Sequence, residues 1–201
     1  MSGYCTKVST RRAKLLEATC RVIALRGVRG LRVEDVAAEA GVSKTLIYYH
    51  FRDRAGLVTS ALEYVNDRAE GYADIAEDDD SPAHELLLRL LAAEFQDDAA
   101  VRENSAVWGE VRAAATFDEG LRPVLTALTE RWLVDLAELI ADGQDDGTIP
   151  ASVDSRAAAI RLTALVEGLS GRWLAGLITT REARAHITAA LERELLPSAR
   201  A

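Results

Sequence analysis

Between Arg29 and Val58 the chain gathers side chains that donate and accept hydrogen bonds: Ser43, Lys44 and Thr45 in a row, then Tyr48, Tyr49 and His50, then Arg54. None of these is a nucleophile with an evident base. The three histidines, His50, His84 and His186, stand far apart, and there is no His-Glu-x-x-His pattern or glycine-rich phosphate loop. Catalysis, a metal site and a resident cofactor are therefore not expected. Hydroxyls, phenols and cations in this order suit another task, holding phosphates and meeting base edges.

Such a set works only on a rigid mount, and the flanking residues supply one. Val33, Val36 and Ala37 give a first short helix an apolar face at helical spacing. Gly41 falls where the following turn needs a positive φ, and Ser43 is placed to cap a second short helix. Leu46, Ile47 and Phe51 then form that helix's inward face, and one of Tyr48 and Tyr49 is a candidate to pack beside them. Residues 33–50 thus read as a helix-turn-helix, a unit that offers its second helix to the DNA major groove. Ser43, Lys44 and Thr45 lie at the end of that helix where bases are in reach; Tyr48 and Tyr49 lie at the other, with His50 and Arg54 nearer the backbone.

The run Arg11–Leu57 resembles the DNA-binding domain of TetR/AcrR-family transcriptional regulators. The matching features are an amphipathic helix ending at Gly27, Val36-Ala37-x-x-Ala40-Gly41-Val42-Ser43, Ile47-Tyr48-Tyr49-His50-Phe51, and Phe51-x-x-Arg54-x-x-Leu57. Arg32 stands where the family usually has Thr or Ser, which removes a hydroxyl cap; Arg54 replaces the usual Lys and keeps the charge. More loosely, Val107-Trp108-Gly109-Glu110, Ala137-Glu138-Leu139-Ile140 with Gly147, and Leu165-Val166-Glu167-Gly168-Leu169 are similar to the ligand-binding part of BetI-type members. The resemblance implies an all-α fold: a three-helix DNA-binding domain over 1–52, then a six-helix ligand-binding and dimerisation domain over 53–201. It implies base contacts from Thr45 and Tyr49, and phosphate contacts from Lys44, Tyr48, His50 and Arg54, with Arg11, Arg32 and Ser43 beside them. It also implies a homodimer joined through about 154–196 on a palindromic operator, and a repressor released by a small molecule. An activator, or a DNA-binding protein whose body serves dimerisation alone, is equally compatible with the residues.

Charge divides along the same line. Residues 1–60 hold 11 Lys and Arg against 5 Asp and Glu, and residues 61–201 hold 13 against 27. A basic head on an acidic body fits one DNA-facing end and explains why a net charge of −8 does not exclude DNA. Cys5 and Cys20 have no ligand-like neighbours and read as reduced thiols. No apolar run approaches the roughly 18 residues of a membrane span, and no signal-peptide core opens the chain. A cytoplasmic protein without membrane contact is expected.

Helical spacing predicts further helices over 10–26, 53–75, 83–98, 103–115, 119–141, 154–177 and 182–196, with an acidic linker at 77–80 and a loop at 143–150. Ser81-Pro82 reads as a helix start, and Thr179 with Glu182 as a capping box. The body's large apolar residues, Phe95, Trp108, Val111, Trp132, Leu136, Leu169 and Trp173, mark a candidate pocket that includes Glu110 and Glu167. Aromatic rings beside carboxylates favour a cationic or amphipathic ligand, such as a quaternary amine, polyamine or lipophilic cation. The alternative is that the tryptophans fill the core and the glutamates are exposed or paired with Arg112 or Arg172.

Overall fold

The computed structural model describes residues 10–69, 71–72 and 81–196, and every regular element among them is helical. The expected acidic linker at 77–80 lies outside the described residues.

α1 (Thr10–Gly30) buries Leu15, Leu16, Cys20 and Ile23 along one face. It breaks at Gly27, where φ 71 and ψ 165 occupy a region that essentially only glycine adopts. α2 (Val33–Ala40) buries Val33, Val36 and Ala37 and starts without a side-chain cap, because Arg32 holds the N-cap position. Gly41 then takes the left-handed conformation, φ 66 and ψ 36, and turns the chain into α3 (Lys44–Phe51). α4 (Arg54–Ala69) follows and stops before the expected Ile75, the chain turning at Gly71.

In the body, α5 (Ala83–Ala93) starts after Pro82, which occupies the N-cap rather than the first helical position and gives no side-chain cap. α5 ends at Ala93, short of the expected 98, and Asp98 opens the next helix ahead of the expected 103. Its carboxylate accepts from the amides of Ala100 and Val101, so α6 (Ala99–Ala115) starts early. A 3-10 turn at Glu119–Leu121 leads into α7 (Arg122–Asp145), then α8 (Ser155–Leu174), capped by Asp154, and α9 (Thr180–Leu195). The capping box of Thr179 and Glu182 is formed with both bonds in place.

Two hydrophobic cores result. One joins α1–α4 to Val107, Val111, Ala114 and Ala115 of α6. The other lies among α5, α7, α8 and α9, and Val101 of α6 belongs to it. α6 is thus shared between the head's core and the body's. The buried Asn104 strengthens this tie, donating to the Val65 carbonyl at 2.7 Å and accepting from Arg68 of α4, which also pairs with Glu103 at 2.9 Å.

Candidate functional site

The head presents its recognition set much as a helix-turn-helix requires. The Ser43 hydroxyl accepts from the Leu46 amide at 3.4 Å, and Ile47 and Phe51 anchor α3 in the core. That leaves Ser43, Lys44, Thr45, Tyr48 and Tyr49 on the open face, with Tyr49 82% exposed and Tyr48 48%. Neither tyrosine packs inward, contrary to what the pattern offers for one of them: Ile47 and Phe51 alone fill the buried face. His50 is partly buried and meets the Tyr49 ring edge-on at 5.3 Å between centroids. Arg11 and Arg32 are exposed on the same basic head.

Two cations are already engaged. Lys44 Nζ lies 2.9 Å from Glu34 Oε1 on α2, and this bond holds the Glu34 carboxyl below and the Lys44 ammonium above their ordinary ranges. Arg54, expected at phosphate, turns inward instead. Its Nε donates to the Leu31 carbonyl at 3.0 Å and its Nη2 to the Val28 carbonyl. The carbonyls at the end of α1, which lack full helical partners, draw the guanidinium in. A cation that sequence reasoning missed stands beside it. Arg52 is exposed and closes the turn from α3 to α4 at φ 60, the one non-glycine with positive φ among the described residues. No local sequence signal marks it.

The body contains a cavity of about 270 Å³ walled by α4–α8 and the turn after α4. Of the expected lining, Trp108, Trp132, Leu136 and Glu167 are there. Phe95, Val111, Leu169 and Trp173 are not, because each is consumed by core packing. Phe95 meets Trp173 edge to face at 5.6 Å, and the Trp173 indole donates to Thr180 at 3.0 Å. Glu110 is absent from the wall too: its Oε2 accepts from the Val28 amide of α1 at 3.2 Å. Glu167 lines the cavity but pairs with Arg112 at 2.9 Å.

Two further carboxylates line the cavity, Asp135 of α7 and Glu94 at the C-terminal end of α5, and the sequence pattern marks neither. Glu94 makes no ion pair among the described residues, and burial pushes its carboxyl up from 4.5 to about 7. Tyr72, Trp108 and Trp132 line the same space. An unneutralised carboxylate among aromatic faces attracts a cation both by charge and by the ring quadrupoles. No group of side chains that could hold a metal occurs among the described residues, and no helix among them is long and apolar enough to cross a membrane.

Comparison with known proteins supplies the family. Residues 15–61 match the N-terminal model of the bacterial regulatory proteins of the tetR family, and residues 83–196 match the BetI-type transcriptional repressor C-terminal model. The regulator TtgR of Pseudomonas putida is 28% identical over 169 residues, covering 81% of this chain and 80% of its own. BetI of Burkholderia mallei is 28% identical over 170 residues, covering 84% and 82%. Among solved structures, a TetR-family regulator from Rhodococcus sp. superposes with a TM-score of 0.87 at 47% identity, covering 94% of this chain and 100% of that one. A regulator from Saccharomonospora viridis in complex with choline gives a TM-score of 0.76 at 28% identity, covering 92% and 96%. The chain belongs to the TetR family of bacterial transcriptional regulators, DNA-binding proteins rather than enzymes, and carries a BetI-type C-terminal domain.

Proposed function

We propose that this regulator is a repressor that binds a palindromic operator as a homodimer and is released when a compact organic cation enters the cavity walled by α4–α8. The observation that carries the ligand class is Glu94, a buried cavity carboxylate with no counter-ion among the described residues, set among Tyr72, Trp108 and Trp132. Arg112 and Arg131 balance two of the three wall carboxylates in charge, which leaves one net negative group and favours a monocation over a polyamine. Choline bound to the Saccharomonospora viridis relative supports a quaternary amine of that size.

The homodimer reading rests on α8 with α9, over about 154–196. Gly168 and Gly171 are exposed, and a Cβ at either would meet nothing within 4 Å. Ile160 and Leu177 are also open to solvent, at 47% and 74%. A helix face of small residues lets a second helix approach closely. Pairing two heads in this way gives a two-fold site and multiplies the contacts each head makes.

The test is selection of bound duplexes from a random pool at near-physiological salt, followed by titration of the selected duplex complex with choline. One enriched palindrome, released by choline, is the expected result. Release by an acyl-CoA or another anion, with no response to quaternary amines, overturns the ligand class. Absence of any enriched sequence overturns the operator reading.

A further inference from the structure

The break in α1 and the cavity wall meet at one hydrogen bond. Gly27 interrupts α1 with φ 71, and the Val28 amide just beyond it donates to Glu110 Oε2 of α6 at 3.2 Å. The fit is close: a Cβ on Gly27 would lie 2.5 Å from that same oxygen. Past the break, Arg54 holds the carbonyls of Val28 and Leu31, and the Arg29 guanidinium stacks 4.4 Å over the Phe117 ring just beyond the end of α6. The short segment 28–31 is therefore gripped by the head at one side and by α6 at the other.

On α6 itself, the residues on either side of Glu110 belong to the cavity: Asn104, Ser105, Trp108 and Gly109 before it, Arg112 after it. A rotation or slide of α6 that alters the cavity wall moves the Glu110 carboxylate by a similar amount. The Val28 amide must follow or lose its acceptor.

We infer that Glu110 is the positioning residue that ties the DNA-binding head to the cavity wall, through its bond to the amide following the Gly27 break. Glu110 touches neither DNA nor ligand; it acts by fixing the angle at which α1 leaves the break. The role rests on the reading that cavity occupancy governs operator binding. It is tested without a ligand, because linkage is reciprocal: if the cavity wall influences the head, operator binding must in turn stiffen the wall.

The experiment is amide hydrogen exchange on the full chain, free and bound to the duplex selected above, for wild type, Glu110→Ala and Glu110→Gln. In the free protein, Glu110→Ala is expected to speed exchange over residues 28–31 about tenfold or more, the loss of one bond to a charged acceptor. Operator binding is expected to slow exchange across 104–112 of α6 in wild type and leave it unchanged in Glu110→Ala. Glu110→Gln, which keeps an acceptor oxygen, restores both responses, and a merely structural role predicts no such operator-dependent signal. Unchanged exchange over 28–31 in Glu110→Ala overturns the inference even if no operator is found. So does full operator-dependent protection of α6 in that variant. Failure of choline to bind would strike the ligand class alone, since none of these readouts uses it.

Discussion

Arg112 and Glu167 pair at 2.9 Å between α6 and α8, whereas Glu94, which lines the same cavity, has no ion pair among the described residues. Two of the three carboxylates that line this space, Glu167 and Glu94, thus differ in electrostatic role; the third is Asp135. Glu167 is neutralised within the protein, whereas Glu94 stands ready for a charge brought from outside.

Glu94→Gln is therefore expected to weaken binding of choline at least tenfold in calorimetry at pH 8, with the fold intact. Glu167→Gln should leave Arg112 uncompensated beside the site and weaken the same binding by repulsion, more so at low salt. If Glu94→Gln binds choline as wild type does, Glu94 is not the recognition group.

The pH dependence has a definite sign. The Glu94 carboxyl is raised in the folded state from 4.5 to about 7, so the unfolded chain ionises first as pH rises. Between pH 4.5 and 7 the folded protein holds more protons than the unfolded one, and stability falls with rising pH. Above pH 7 the loss levels off, on the order of 3 kcal/mol at most. Thermal melts should show Glu94→Gln more stable than wild type at pH 8 and equal to it near pH 4. Choline affinity should rise from pH 6 to pH 8, with proton release visible in buffers of different ionisation enthalpy. On the same wall the Tyr72 phenol is pushed up to about 12 by burial and stays neutral across this range.

At the other end of the molecule, Glu34 holds the Lys44 ammonium that the operator reading places at phosphate. Glu34→Gln should free the ammonium, tighten operator binding a few-fold and steepen its salt dependence by about one counterion. Fluorescence anisotropy across a salt series reads both. An unchanged slope would mean that Lys44 makes no phosphate contact.

Arg54→Ala should behave as a structural lesion. Two charged donors to the Val28 and Leu31 carbonyls are lost, a cost of about 1.5–3 kcal/mol, seen as a lower melting temperature. The salt slope of operator binding should stay near that of wild type. A flattened slope with an unchanged melting temperature would return Arg54 to the phosphate-contacting set.

Gly27→Ala forces a side chain into a glycine-only conformation and against the Glu110 carboxylate. A loss of about 1–3 kcal/mol is expected, smaller in a Glu110→Ala background where the steric part is relieved. Equal losses in the two backgrounds would show that backbone strain alone is responsible.

The helix-turn-helix was legible because its signals are local: a glycine at the turn, a serine at the cap, apolar residues on a fixed spacing. The body was legible as helices but not as a site. Trp108 and Glu110 are two apart on one helix, about 200° around its axis, and cannot face the same cavity. The same phase separates Glu167 and Gly171, which line the space, from Leu169 and Trp173, which pack into the core. Helical phase alone could have removed Glu110, Leu169 and Trp173 from a site built on Trp108 and Glu167. It could not have supplied Glu94, whose surroundings exist only once α4–α8 have met. The inward bonds of Arg54 were not legible for a related reason: the carbonyls it meets lie beyond a break in a helix distant in sequence.

Gly168 and Gly171 carry a final consequence. Glycine inside a helix costs about 0.5–1 kcal/mol relative to alanine, and within a single copy these two secure no close packing in exchange. On the dimer reading, that deficit is recovered only when two chains meet. Operator occupancy at low expression would then follow the square of the chain concentration, so that silencing sets in at a threshold rather than in proportion to gene dosage.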